Sequence, residues 1–85
     1  MDAEASLDGI LEGLSRCLDA DSARRVVEFR VGEQIQTRID QLAAEANEGT
    51  LDAHGRSEYE SLINASDFVS ILKLKARQRL RTDAA

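Results

Sequence analysis

Tryptophan and proline are absent from this chain, and aromatic side chains are scarce: one tyrosine and two phenylalanines in 85 residues. Large rings commonly line pockets that hold small substrates, so their scarcity argues against a built catalytic cleft. The single cysteine, Cys17, excludes an intrachain disulfide. With no histidine or second cysteine near it in sequence, it reads as a small residue on a buried helical stripe. No apolar run approaches the roughly 18–20 residues needed to span a bilayer, which argues against any membrane role. Residues 2–12 carry Asp2, Glu4, Asp8 and Glu12 and no base, the reverse of a secretory leader, so the expected location is the cytoplasm.

What is present is a helical alphabet rich in Ala, Leu, Glu, Arg and Asp, on a length that suits one small domain over residues 1–85. The net charge of −5 is unevenly placed. Residues 1–50 hold eleven acids and five bases, net −6, whereas residues 51–85 hold five acids and six bases, net +1. An acidic body repels a phosphate backbone, which weighs against nucleic acid as a partner and suits a basic protein better.

Periodicity predicts a first helix over residues 6–18, where Leu7, Ile10, Leu11, Leu14, Cys17 and Leu18 recur at three- and four-residue spacing with Ser6 as N-cap. Residues 20–30, capped by Asp19 or Asp21, admit two readings. Ala23, Val26 and Val27 fit a short helix, while Val27, Phe29 and Val31 alternate with Glu28 and Arg30 in the period of a strand. A helix over residues 33–47 places Ile35, Ile39, Leu42, Ala43 and Ala46 on one face. Gly49 closes it in the left-handed conformation, Leu51 turns back onto the core, and Asp52 caps the next helix. The result is an αα-hairpin.

The last helix, residues 53–81, keeps Leu62, Ala65, Val69, Leu72, Ala76 and Leu80 in one register, with residues 64–67 as its weak point. Near its end a cation stands at every second position: Lys73, Lys75, Arg77, Arg79 and Arg81. At 100° per residue these fall on opposite sides of the helix, flanking the leucine stripe and complementing the helix dipole; they do not form one palm for a phosphate backbone. Phe68, Ile71 and Leu74 face away from the Val69, Leu72, Ala76 stripe and need either a second packing surface or a partner to cover them. Phe68, Ile71, Leu74, Lys75 and Arg77 are therefore the candidate partner-binding residues.

Catalytic, metal and cofactor sites find no support. His54 is the only histidine and has no cysteine or histidine companion. Glu58 and Glu60 point to different sides of a helix, so they cannot act as a facing acid and base. Arg38 and Glu58 are placed to pair across the hairpin, and Tyr59 to lay its ring along the seam.

Three stretches together, TRIDQLAAEANEGTL (residues 37–51), SEYESL (57–62) and LKARQRL (74–80), resemble a group of small uncharacterised bacterial helical proteins. The resemblance covers about three quarters of the chain, residues 18–80, and its polar motif falls on Arg38, Asn47, Glu48, Gly49, Glu58, Tyr59, Glu60, Lys75 and Arg77. Members of that group are often encoded beside HNH-type nucleases, so the resemblance implies a nuclease partner and an antitoxin-like or immunity-like role. Asp52, Ala53, His54 and Gly55 stand where the group has Thr-Pro-Glu-Glu, so the capping box is reduced to its cap and the first turn is expected to fray.

These readings converge on an all-α fold, a small bundle of three or four helices built on an αα-hairpin with a long C-terminal helix. The expected function is non-catalytic: binding to another protein, a co-encoded nuclease or a second copy. The alternative treats residues 26–31 as a strand. The order strand, helix, helix is that of a ribbon-helix-helix repressor, a dimer whose paired strands enter the DNA major groove.

Overall fold

Four helices follow one another: α1 (Ala3–Ser15), α2 (Ala20–Glu28), α3 (Glu33–Glu48) and α4 (Ala53–Ala84). The computed structural model describes residues 3–84, with side chains from residue 6 to residue 82; residues 1, 2 and 85 of the expected domain lie outside the described residues. No strand occurs among them. The all-α class, the αα-hairpin and the long last helix are as the sequence predicts.

Helix α1 departs from expectation at both ends. It begins at Ala3, so Ser6 is an interior residue and not a cap. It stops at Ser15, whose Oγ donates to the Glu12 carbonyl at 2.8 Å, and the chain tightens as the N–H groups of Cys17 and Leu18 donate to the carbonyls of Leu14 and Ser15. Cys17 therefore falls in the turn and is exposed, not on a buried stripe. Asp19 then starts α2 through a reciprocal cap. Its Oδ1 accepts from the Ser22 N–H at 2.8 Å, and the Ser22 Oγ accepts from the Asp19 N–H at 2.9 Å. Helix nucleated there runs to Glu28, so residues 24–28 are helical and residues 29–32 form an unpaired connection. The strand on which the repressor reading depends is not formed.

The chain divides into two compact units, one built from residues up to Phe29 together with those from Phe68 onward, the other from Arg30–Asp67. Helix α4 is continuous from one to the other, through the segment 64–67 that sequence marks as weak. In the second unit Leu42 is the fully buried side chain, Ile39 and Ala43 are half-buried, and Ile35 and Ala46 stay exposed. Gly49 has φ 72° and receives the end of α3; its N–H donates to the Ala46 carbonyl at 3.2 Å and the Thr50 N–H reaches the Glu45 carbonyl at 2.9 Å.

Asp52 opens α4, its Oδ1 accepting from the Gly55 N–H at 2.7 Å and its carbonyl from the Arg56 N–H at 2.9 Å. The first turn is formed from Ala53 despite the missing half of the box. Gly55 is buried, and a Cβ there would stand 3.0 Å from Leu51 Cδ2 and 3.1 Å from Asp52 Oδ1. The absence of a Cβ at Gly55 thus leaves room for Leu51 over the helix start.

In the first unit the fully buried apolar side chains are Leu11, Ala23 and Ala76, with Ser15 beside them. Two of these are alanines, so little hydrocarbon is enclosed.

Candidate protein-binding surface

Among the described residues two large side chains, Leu11 and Leu42, are fully buried hydrophobes, whereas eight others stand substantially in solvent: Leu7, Ile10, Leu14, Phe29, Val31, Ile35, Phe68 and Leu74. Such a ratio leaves apolar surface that a monomeric fold does not cover.

The five candidate residues on α4 are distributed unequally. Leu74 is 50% exposed and lies almost opposite the buried Ala76; Phe68 is exposed, Ile71 is half-buried, and Arg77 is exposed on the outer side. These four remain at the surface. Lys75 does not. It retains 11% of its side-chain exposure, because its Nζ sits 2.9 Å from Glu12 Oε2 and 3.1 Å from Asp8 Oδ1 on α1. The Lys75 hydrogen bond and charge hold the Glu12 carboxyl below the usual glutamate range. In return the hydrogen bonds to Glu12 and Asp8 raise the Lys75 ammonium above the usual lysine value.

The other cations of the alternating run are equally dispersed. Lys73 Nζ donates to the Phe29 carbonyl at 2.6 Å and so closes the C-terminal end of α2. Arg79 is half-buried, leaving Arg77 and Arg81 exposed. A phosphate backbone would therefore meet two cations, not five.

In the hairpin unit Arg38 and Glu58 form the fork-shaped pair that sequence anticipates, Nε donating to Oε2 at 3.0 Å and Nη2 to Oε1 at 2.6 Å. Arg38's hydrogen bonds hold the Glu58 carboxyl below its ordinary range. Tyr59 is half-buried, as a residue on the seam edge should be. Among the described residues no three of His, Cys, Asp or Glu gather into a group that could hold a metal ion, and no helix is long and apolar enough to cross a membrane.

Two surface features escape the sequence reading. One is the stripe Leu7, Ile10, Leu14 on α1, which periodicity assigns to the core but which lies outside it, with Ile10 at 66% exposure. The other is an open apolar groove of about 390 Å³ in the first unit, lined by Ser22, Arg25, Val26, Phe29, Val69 and Leu72. The alternation of Val27, Phe29 and Val31 is the only hint of it, since Phe29 ends α2 and forms one wall. Comparison of the chain with protein-family models, with curated proteins and with solved structures finds no match in any of the three.

Proposed function

We propose that this protein acts without catalysis, by presenting apolar surface to another protein. The observation that supports this most directly is the excess, among the described residues, of exposed large hydrophobic side chains over fully buried ones. Leu74, Phe68 and the half-buried Ile71, with Arg77 beside them, form the docking surface on the outer side of α4. Apolar residues supply the binding energy there, and the exposed guanidinium supplies orientation toward an acidic group on the partner. Lys75 contributes indirectly, by tying α1 to α4 and so keeping the helix beneath the patch in place.

The resemblance of residues 18–80 to helical proteins encoded beside HNH-type nucleases makes a nuclease the partner of first choice, with the small protein as its antitoxin-like inhibitor. The test is titration of the purified protein into the nuclease encoded next to it, followed by calorimetry and by nuclease turnover. Saturable binding with loss of turnover is expected, and Ile71→Lys with Leu74→Lys should abolish both while circular dichroism remains unchanged. Unchanged binding by that variant would remove the α4 surface from consideration, and undiminished turnover at saturation would remove the inhibitory role.

A further inference from the structure

We infer that α1 is a releasable strap latched by Lys75: it detaches and unwinds as one element while the rest of the first unit stays folded. The strap has few ties. Among the described residues of α1, Leu11 is the one fully buried apolar side chain, and Ser15, buried on the same face, donates its hydroxyl to the Glu12 carbonyl of its own helix. One described side chain from elsewhere bonds to it. That is Lys75, through Glu12 at 2.9 Å and Asp8 at 3.1 Å. The two carboxylates already touch water, at 61% exposure for Asp8 and 43% for Glu12, so on release they and the ammonium exchange one another for solvent. A latch of charges reopens more readily than an apolar seam. The device is separate from the outer side of α4 and does not rest on the nuclease reading.

The helix is also weak by its own composition. Neither Gly9 nor Gly13 has a positive φ, and a Cβ at either would meet nothing within 4 Å. No turn and no close approach calls for them, so their effect is to lower the stability of the helix that contains them. At 13 residues α1 is near the shortest length that holds a helix alone in water, and two glycines take it below that limit. Release therefore means unwinding. Helix α2 does not depend on the strap, because its start is closed by the reciprocal Asp19 and Ser22 cap and its end by Lys73, which donates to the Phe29 carbonyl at 2.6 Å. Helices α2 and α4 thus stay joined when α1 leaves.

The experiment is native-state hydrogen exchange, followed by NMR on the full chain in rising concentrations of urea below the unfolding transition. Amides of residues 8–15 should exchange as a group, with protection at least about tenfold lower than amides flanking Ala76. Their urea dependence should be shallower, since release exposes less surface than unfolding the whole unit. Gly9→Ala and Gly13→Ala should each slow exchange in α1 about fivefold. Lys75→Met should speed it by at least about threefold. Equal protection and equal urea slopes in α1 and around Ala76 overturn the proposal, because α1 would then open only together with the rest of its unit. So does exchange graded from the first turn that spares Leu14 and Ser15, which is end fraying. Glycine variants or a Lys75→Met chain whose α1 exchanges as in wild type overturn it as well.

Discussion

Arg38 and Glu58, twenty residues apart, meet as a two-pronged ion pair across the hairpin, with contacts of 3.0 and 2.6 Å. Both are partly exposed, and what the pair contributes is geometry: two parallel hydrogen bonds fix the register of α3 against the start of α4. Lysine carries the same charge but cannot make the fork. Arg38→Lys should therefore lower the thermal midpoint, and the exchange Arg38→Glu with Glu58→Arg should recover most of what either reversal alone loses. If the double exchange is no better than the single changes, the pair is not coupled.

The acid limb of stability is set by carboxyls with lowered affinity for protons. Lys75 does this to Glu12, the Ser22 N–H to Asp19, and Arg38 to Glu58. Each binds its proton more weakly in the folded chain than in the unfolded one, so its contribution is complete above the ordinary carboxyl range and is lost as pH falls through the folded value. The urea midpoint should be flat from pH 7 to about 5 and decline below roughly pH 4–4.5.

Lys75 has the opposite sign. Its ammonium is held above the usual value, so its contribution is present at neutral pH and is lost only as pH rises through that folded value, above about 10.5. Lys75→Met should remove this alkaline loss together with the part of the acid limb that belongs to Glu12. Superimposable stability curves for the two proteins would show that the cluster with Asp8 and Glu12 contributes nothing.

Leu42 is the fully buried large side chain of the hairpin unit. Leu42→Ala should cost about 2–5 kcal/mol in urea unfolding, with Ile35→Ala, at an exposed position, costing well under half as much. Equal effects would place the core of this unit elsewhere.

Gly49 holds φ 72° with nothing within 4 Å of where a Cβ would stand. Gly49→Ala should therefore be destabilising by about 1–2 kcal/mol for backbone reasons alone, with no steric component. Gly55 is the converse, with ordinary backbone and a crowded Cβ position. There Gly55→Ala must displace Leu51 or the Asp52 cap, and the expected signature is faster hydrogen exchange in the first turn of α4.

Local chemistry in the sequence determined α3 and the start of α4, left residues 20–30 open between helix and strand, and set α1 three residues late. Apolar spacing of three and four, the Asp19 and Asp52 caps and the glycine after Glu48 act within a few residues, so they could be read along the chain. The Arg38–Glu58 pair was legible for the same reason, since a short turn between two helices leaves few registers. Which edge of α1 faces inward was decided only by tertiary structure. Leu7, Ile10, Leu11 and Leu14 are all apolar, but Leu11 and Ser15 face the core while Lys75, 63 residues beyond Glu12, ties down the flank bearing Asp8 and Glu12, and Leu7, Ile10 and Leu14 are left outside. A helical stripe states how much surface is apolar; contacts distant in sequence choose how much of it is covered.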